Sequence, residues 1–474
     1  MQHWSGPDEI SFLNLKVSEM SISSVNPTTG ETLKSFATLT MQQILAAIEN
    51  AHEVYTKWRR TNFASRQEVL LKFATSLRTR TDELAKLITL EMGKRISESR
   101  REVIYCAEIA EFYANGSASF LADQPMNVAG IDAWIQHAPL GVILGVMPWN
   151  FPFYQVVRFA TPNIMAGNTV LLKHAGNVPQ CALKIQELFD ECELPRGVYT
   201  NLFISTEMVE TILSDKRVRG VSLTGSERAG SAVAALAGKF LKRSVLELGG
   251  NDAFIVLEDA DVATVTEMAV KGRMVNAGQS CVASKRFIVV ESRAATFIDE
   301  FKTKLQAMKM GDPLDEDTDI GPLSTESAAE NLLKQVNSAV KAGAKVVIGG
   351  DRPKRKGAFF NPTILTNIRP EMPTYDQELF GPVASIYVVK DEAAAIELAN
   401  DSSYGLGGSV FTNDITRGRR VAEQIESGMV FINQPTRSQA ELPFGGIKNS
   451  GYGRELSQLG IMEFINKKLI HAGK

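Results

Sequence analysis

The run Gly141-Val-Ile-Leu-Gly-Val-Met147 sets the fold class, because it is an unbroken apolar segment that stops at Pro148. A strand that is apolar on both faces is typical of a parallel sheet covered by helices on both sides. The strand-like runs and helical patterns that follow it alternate: strands at 169–173, 198–203, 220–224 and 244–248, and helices at 179–191 and 229–239. Such alternation predicts a doubly wound α/β domain.

A second alternating series begins after Gly249-Gly250. Its strand-like runs are 253–257, 286–290, 345–348, 382–389, 409–411 and 429–433, and its helical patterns are 263–275, 294–308 and 326–342. Two α/β domains that meet near residue 250 are therefore expected. Residues 41–118 are mostly helical, with capping boxes expected at Thr40–Gln43 and Ser65–Glu68. Residues 1–22 form an irregular leader, either a disordered extension or a segment before a true start at Met20.

Composition excludes several classes of function. The chain has 474 residues, with 51 Lys and Arg against 54 Asp and Glu and a formal net charge of −3, so we expect no binding of nucleic acid or of an anionic membrane. No apolar run reaches the roughly 18 residues of a membrane span, and the first residues lack the basic segment of a secretory signal. The four cysteines form no CxxC pair and the five histidines are scattered. This pattern predicts no metal site and a reducing, cytoplasmic location.

Cys281 closes the small, polar segment Asn276-Ala-Gly-Gln-Ser-Cys281, which follows an apolar helix. A loop cysteine beside Gly and Ser is placed to react, because the exposed thiolate is the nucleophilic form. The other interpretation is a buried small hydrophobe, which suits Cys106, Cys181 and Cys192 in their helical patterns. Composition alone leaves both interpretations open for Cys281.

Glu247 lies between two leucines in Leu246-Glu-Leu-Gly-Gly-Asn251, where a strand ends. Burial there would raise the pKa of the carboxyl group toward that of a useful general base. Period-two alternation also allows Glu247 to face outward from an edge strand while both leucines face the core. Sequence reasoning leaves these two alternatives standing.

Two turns offer hydrogen-bond donors for anions. Pro148-Trp-Asn-Phe-Pro152 ends a strand, and its two prolines fix a turn in which the Asn150 amide can hold an oxyanion, unless it simply forms an Asx-turn. Gly225-Ser226 follows a strand and opens an Ala-rich helix, whose free N–H groups suit a phosphate. This second signal is weak by itself, since most βα turns look similar and no G-x-G-x-x-G motif is present.

Five segments together resemble the aldehyde dehydrogenase superfamily in order and spacing: Pro148-Trp-Asn-Phe-Pro152, Leu246-Glu-Leu-Gly-Gly250, Gly278-Gln-Ser-Cys281, Glu378-Leu-Phe-Gly-Pro382 and Pro443-Phe-Gly-Gly-Ile-Lys-Asn-Ser-Gly451. The likeness covers nearly the whole chain from about Ser23. Within the superfamily, the segment from Asn433 to Phe444 is most similar to the shorter bacterial succinate-semialdehyde dehydrogenases.

The resemblance implies a role for each matching position. Cys281 matches the nucleophile, Glu247 the general base and Asn150 the oxyanion donor. The implied contacts to a nicotinamide cofactor are Trp149, Lys173, Gly176, Gly225, Ser226, Glu378 and Phe380. The implied domains are a cofactor-binding domain (23–120 and 138–249), a catalytic domain (250–450) and a small β element for dimers or tetramers (121–137 and 451–474).

The chain departs from the family pattern at two places. Where the family often has a glutamate that binds the adenosine ribose, the run here is Lys173-His-Ala-Gly176. Because Gly176 removes a carboxylate and Lys173 can pair with a phosphate, we expect NADP to be accepted, alone or alongside NAD. Asn251-Asp252 also replaces the usual Lys-Ser or Lys-Asn after the double glycine.

The expected reaction is oxidation of an aldehyde to a free acid through a cysteine thioester, with succinate semialdehyde as the expected substrate. A guanidinium can grip the substrate carboxylate, which makes Arg158, Arg437 and Ser438 the candidate contacts, although either arginine can instead serve an ordinary ion pair. The alternatives are the same oxidation of glutarate semialdehyde or of uncharged aldehydes, and a non-catalytic cofactor-binding protein.

Overall fold

A computed structural model describes residues 21–473, and its strands form five sheets. The strands are β1 (Ser21–Val25), β2 (Thr32–Ala37), β3 (Gln124–Pro125), β4 (Asp132–Pro139), β5 (Val142–Met147), β6 (Thr169–His174), β7 (Tyr199–Asn201), β8 (Val218–Thr224), β9 (Arg243–Glu247), β10 (Ala253–Val256), β11 (Arg286–Val290), β12 (Lys345–Ile348), β13 (Thr363–Thr366), β14 (Val383–Val389), β15 (Tyr404–Gly405), β16 (Gly408–Phe411), β17 (Phe431–Ile432), β18 (Ile447–Lys448), β19 (Gly451–Tyr452) and β20 (Ile465–Ala472).

The helices are α1 (Met41–Trp58), α2 (Phe63–Thr79), α3 (Thr81–Met92), α4 (Ile96–Phe120), α5 (Tyr154–Ala166), α6 (Pro179–Glu191), α7 (Met208–Ser214), α8 (Glu227–Lys239), α9 (Val262–Met274), α10 (Glu291–Gln306), α11 (Glu326–Lys341), α12 (Glu392–Asn400), α13 (Ile415–Ala422) and α14 (Ser457–Ile461). The capping box at Thr40–Gln43 is confirmed. The predicted box at Ser65–Glu68 is wrong, because α2 starts earlier and Asn62 is its N-cap, accepting from the backbone N–H of Ser65. None of the described helices is both long and apolar enough to cross a bilayer.

The first large sheet has six strands in the order β19-β9-β8-β5-β6-β7, all parallel except β19. Alternate residues of its central strand enter two different cores. Ile143 and Met147 pack with α2 to α6, whereas Val142 and Leu144 pack with α1, α7 and α8. Helices therefore cover both faces of the sheet, which explains why β5 is apolar throughout.

The second large sheet has seven strands in the order β12-β13-β14-β11-β10-β16-β17, of which only β12 runs antiparallel to its neighbour. Its core includes α9, α10 and α11. The predicted α/β class with two parallel sheets is thus confirmed.

Smaller elements complete the described chain. β3, β4 and β20 form an antiparallel sheet from the two segments that were predicted to oligomerise. Gly451–Tyr452, which that prediction also included, instead pairs with β9 in the six-stranded sheet. Of the predicted leader, residues 1–20 lie outside the described residues, and Ser21 and Ile22 belong to β1, which pairs with β2.

Candidate active site

The segment that carries Cys281 is held in an unusual backbone conformation. Asn276, Ala277 and Gly278 all have positive φ values, of 51°, 52° and 77°. Left-handed non-glycine residues cost about 1–2 kcal/mol each, so neighbouring contacts must stabilise this turn. Gly278 is required for packing as well, because a Cβ there would lie 2.2 Å from the carbonyl oxygen of Gly381.

Hydrogen bonds fix this turn on both sides. The Asn276 side chain donates to the Asn150 carbonyl oxygen at 2.8 Å. Gln279 accepts from the backbone N–H of Ser324 at 2.8 Å and donates to the Asn276 carbonyl at 3.1 Å. Cys281 follows at the wall of a cavity of about 260 Å³. Burial of the thiol raises the pKa of Cys281 to about 12, against the opposing charges of Lys285 and Arg158.

Asn150 also lies on the wall of this cavity, at the carboxyl end of β5. Its side-chain amide donates to the carbonyl oxygen of Gln279 at 3.1 Å, and this contact ties the amide to the turn before Cys281. Since that bond uses one of the two amide hydrogens, one remains for an oxyanion. The amide is therefore preorganised rather than free to rotate.

Glu247 ends β9, which is an interior strand between β8 and β19 rather than an edge strand. The outward orientation left open by the sequence is wrong, because Glu247 is only 2% exposed. Burial and the nearby Glu455 carboxylate raise its pKa well above the usual range, with Arg158 and Arg454 opposing this shift. Neither carboxylate oxygen has a hydrogen-bond partner among residues 21–473. Leu248 and Gly249, which follow it, line the cavity.

The same cavity is also lined by predicted cofactor contacts. Gly225 and Ser226 lie between β8 and α8, and the Ser226 hydroxyl caps α8 by accepting from the Ala229 N–H at 3.3 Å. Trp149 and Phe380 meet edge to face, with ring centroids 5.8 Å apart. Glu378 accepts from the Gly250 N–H at 3.2 Å. A helix N-terminus, two aromatic rings and an anchored carboxylate around one cavity fit a dinucleotide.

Lys173 and Gly176 do not line this cavity; they lie at and just beyond the end of β6. Burial lowers the pKa of Lys173, and Glu207 acts against that shift. A Cβ at Gly176 would meet only Ile22, at 3.7 Å, so a larger side chain fits there. The segment therefore offers a cation without a carboxylate at position 176, which fits the extra phosphate of NADP.

Arg158 lies behind the cavity wall rather than on it. Its guanidinium donates to the Tyr154 hydroxyl at 2.9 Å and to Thr224 Oγ1 at 3.2 Å, and it forms an ion pair with Glu455. The predicted contact between Arg158 and the substrate stays a prediction, and the structure shows the side chain fully buried and already paired with Glu455. Thr224 does line the cavity, and one hydrogen remains on each terminal nitrogen.

Arg437 and Ser438 line a different cavity, of about 440 Å³. Arg437 is exposed and has no ion-pair partner within the described part of the chain. Ser438 lies beside the hydroxyl of Tyr154, the same group that accepts from Arg158. Phe444 lines this second cavity and packs 4.6 Å from the Arg158 guanidinium, so Arg158 is next to both cavities.

Sequence reasoning missed the charged residues that surround these groups: Arg273, Lys285 and Glu455. Each is buried and bonded to the Cys281 turn or to Arg158. The only local signal was the charge in Ser284-Lys285-Arg286, just after the cysteine. No cluster of three or more potential metal-ligating side chains occurs in the described residues.

A cysteine on a strained turn and an amide share one cavity, and a buried carboxylate precedes two residues that line it; these are the features of an oxidoreductase with a thiol nucleophile. The chain belongs to the aldehyde dehydrogenase family, whose profile matches residues 15–470. It is 50% identical over 96% of its length to the NADP-dependent succinate-semialdehyde dehydrogenase of Deinococcus radiodurans, of which it covers 95%. A Mycobacterium bovis protein of the same name is 46% identical, with 95% of this chain and 99% of that protein aligned.

Solved structures agree with this assignment. Succinic semialdehyde dehydrogenase from Streptococcus pyogenes in complex with NADP⁺ superimposes with a TM-score of 0.94 at 43% identity, covering 96% of this chain and 100% of that chain. A structure of Gox0499, described in terms of cofactor and substrate selection, gives a TM-score of 0.95 at 50% identity with the same coverage.

Proposed function

We propose that this protein oxidises succinate semialdehyde to succinate with NADP as the electron acceptor. The observation that carries the proposal is the single cavity that Cys281 and Asn150 share with Gly225, Ser226 and Glu378. A nucleophile, an oxyanion donor and a dinucleotide site are thus in reach of one small molecule. The names of the relatives from D. radiodurans and S. pyogenes support the choice of aldehyde and cofactor.

In the first half of the reaction, the Cys281 thiolate adds to the aldehyde carbon, and the carbonyl π electrons move to oxygen. The Asn150 amide and the backbone N–H of Cys281 stabilise that oxyanion; removing one such donor typically costs about 3 kcal/mol in the transition state. Bound NADP supplies the acceptor for the hydride that leaves the carbon, and Cys281 is left carrying a thioester. Glu378 and the α8 N-terminus would hold the nucleotide in place.

In the second half, Glu247 takes a proton from water, and the resulting hydroxide attacks the thioester carbon. The C–S bond breaks, so that the acid is released and the Cys281 thiolate is regenerated. The raised pKa of Glu247 suits this role, since a base works best when its pKa is near the operating pH. The resemblance links a carboxylate at this position with hydrolysis rather than with transfer to coenzyme A.

Recognition of the substrate carboxylate is assigned to Arg158, with Ser438 and Arg437 as further candidates. Because Arg158→Ala alone would strand the buried Glu455 charge, the test uses the double variant Arg158→Met/Glu455→Gln. We expect KM for succinate semialdehyde to rise roughly 10- to 100-fold, the worth of a hydrogen bond to a charged group. KM for butanal, which has no carboxylate, should change less than about threefold. Equal effects on both aldehydes would refute the carboxylate role.

The deciding assay follows formation of the reduced nicotinamide by absorbance, with succinate semialdehyde, glutarate semialdehyde and butanal, each with NADP and NAD. The highest kcat/KM is expected for succinate semialdehyde with NADP. Strict dependence on NAD would overturn the cofactor, and faster oxidation of butanal would overturn the substrate. If alkylation of Cys281 left turnover intact, the thioester mechanism itself would fail.

We also propose a homodimer or homotetramer in the cytoplasm. The unpaired edge of β20, with Leu469 63% exposed, supports an assembly surface, and four free cysteines support a reducing compartment. Light scattering on the purified protein tests the assembly, since a single 51.9-kDa species would contradict it.

A further inference from the structure

A buried lysine lies directly beneath the loop that carries Cys281. The Lys285 side chain is 2% exposed. Its ammonium donates to three carbonyl oxygens of the chain just before it, those of Ser280, Cys281 and Ala283, at 3.0, 2.7 and 3.2 Å. A lysine is almost never fully buried unless it is paired, so this arrangement requires a specific partner.

That partner is Glu378, whose Oε1 lies 3.1 Å from the Lys285 ammonium. Glu378 also lines the cavity, where it accepts from the backbone N–H of Gly250. Gly250 is itself packed on the loop, since a Cβ there would lie 2.5 Å from the Cys281 carbonyl oxygen. One ammonium therefore connects the carbonyl of the nucleophile to a carboxylate on the dinucleotide side of the cavity.

A second buried cation, Arg273, holds the same loop. Arg273 donates to the carbonyl oxygens of Gly278 and Ser284 at 2.7 and 3.0 Å, and to that of Gly381 at 2.5 Å. Arg273 holds only backbone carbonyls, whereas Lys285 also contacts a side chain that faces the cavity. Within the described residues, Lys285 forms the ion pair with Glu378.

We propose that Lys285 is a positioning residue that holds the Cys281 loop and the Glu378 carboxylate in register, so that the thiol and the nucleotide are presented to the substrate together. Four charged groups act on the Cys281 thiol: Lys285 and Arg158 favour the thiolate, and Glu378 and Asp252 oppose it. Removal of Lys285 leaves both acidic groups in place and takes away one of the two cations. The thiol should then ionise at higher pH, and Glu378 should hold the nucleotide less well.

The first test needs neither aldehyde nor nucleotide, so it is independent of the proposed function. The rate of Cys281 alkylation by iodoacetamide is measured against pH, with the modified peptide identified by mass spectrometry. Because the pKa of the thiol is about 12, the rate is followed below the midpoint, where it rises tenfold per pH unit, and the displacement of this line along the pH axis gives the shift of the midpoint. We expect Lys285→Met to shift the midpoint upward by roughly one pH unit. Lys285→Arg keeps the charge and should leave the midpoint within about 0.3 unit of the native protein. The matched control, Lys304→Met, removes a lysine that pairs with Glu267 on the surface, and it should leave the midpoint of Cys281 alkylation unchanged.

The second test rests on the proposed function and measures steady-state kinetics with succinate semialdehyde. Lys285→Met should raise KM for NADP about tenfold, the value of one hydrogen bond to a charged group. When Glu378 is already replaced by glutamine, Lys285→Met should raise KM for NADP less than about threefold, because the residue that pairs with Lys285 is then neutral.

These outcomes separate a positioning role from a merely structural one. If Lys285→Met only lowers the unfolding temperature and moves neither the alkylation midpoint nor the NADP KM, the proposal is wrong. If that variant does not fold, Lys285→Arg decides, since an upward shift of its midpoint despite the retained charge overturns the proposal. If Lys285→Met shifts the alkylation midpoint as expected but the native protein oxidises no aldehyde, the proposed function is wrong and the role of Lys285 toward Cys281 stands.

Discussion

Replacing Glu247 with glutamine should abolish turnover and at the same time stabilise the fold. The carboxylate is 2% exposed, and neither of its oxygens has a hydrogen-bond partner in the described chain. Its pKa is raised well above the usual range by burial and by Glu455, in spite of Arg158 and Arg454. The native protein therefore loses stability whenever this group is ionised.

The sign of the pH dependence follows from linkage. The folded carboxyl keeps its proton to a higher pH than the unfolded one, whose pKa is about 4.3. Stability contributed by the protonated carboxyl is thus present below that value and is lost as pH rises toward the folded pKa. Since glutamine has no such transition, the stability gap between Glu247→Gln and the native protein should widen with pH and then level off.

Glutamine and the protonated carboxyl both lack hydrogen-bond partners at this position, so the size of the gap comes from the cost of ionising the buried carboxylate. That cost is at least about 1–3 kcal/mol, the value for a buried polar group without partners. In a chain of this size, 1 kcal/mol moves the unfolding temperature by roughly 1–2 °C. We therefore expect Glu247→Gln to unfold roughly 1–5 °C above the native protein at pH 8, as measured by calorimetry between pH 6 and 9.

Two controls make this result specific. Glu210→Gln changes a half-exposed carboxylate that pairs with Lys239, and its unfolding temperature should stay within about 1 °C of native. Mass spectrometry of Glu247→Gln after mixing with aldehyde and NADP should show an acyl group retained on Cys281, since deacylation has lost its base. An unfolding temperature at or below that of the native protein at pH 8 would refute the electrostatic reasoning.

Two further substitutions test the ends of the cavity. Gly176→Glu places a carboxylate beside Lys173, where a like charge near a phosphate costs about 1 kcal/mol, so KM for NADP should rise fivefold or more while KM for NAD does not. The control Gly238→Glu, at another open glycine, should change neither KM. An unchanged KM for NADP in Gly176→Glu would place the phosphate elsewhere. Asn150→Ala should lower kcat by about 10²–10³-fold with little change in KM for NADP, as stopped-flow absorbance would show, and a loss below tenfold would remove Asn150 from the oxyanion site.

The parts of the fold that the sequence predicted well are those with strong periodic patterns. β11, β12 and α6 match their predicted limits, and β5 begins one residue inside its predicted apolar run. The predicted strands at 198–203 and 429–433 shrink to Tyr199–Asn201 and Phe431–Ile432. Both are edge strands with a single neighbour, so only part of each apolar run finds a hydrogen-bonding partner. Apolar sequence predicts a strand, but the length of a strand depends on its neighbours.

The site residues likewise divide into those that the sequence predicted and those that it did not. The motif residues at 150, 247 and 281 could be picked out from their local sequence as candidates for catalysis, although only the family resemblance assigned their roles. Arg158 shows the limit of this reasoning: it was a candidate substrate contact, but its pairing with Glu455 joins residues far apart in the chain. Lys285 and Arg273 could not be predicted from periodicity, because both act through hydrogen bonds to backbone carbonyl oxygens that come together only when the chain folds.

The charges around Cys281 explain why these unpredicted residues matter. Burial raises the pKa of the Cys281 thiol to about 12 in spite of Lys285 and Arg158, so the reactive thiolate is scarce at neutral pH unless something further favours it. The chain does not supply a net positive pocket, since Glu378 and Asp252 offset Lys285 and Arg158. Each cation is instead held by its own carboxylate, Lys285 by Glu378 and Arg158 by Glu455. A ligand that engages one of those carboxylates leaves its cation less compensated, and this lowers the pKa of the nearby thiol. Nucleotide binding at Glu378 and thiol activation at Cys281 are then coupled through Lys285, so the alkylation midpoint should fall when NADP is added to the native protein and not when it is added to Lys285→Met.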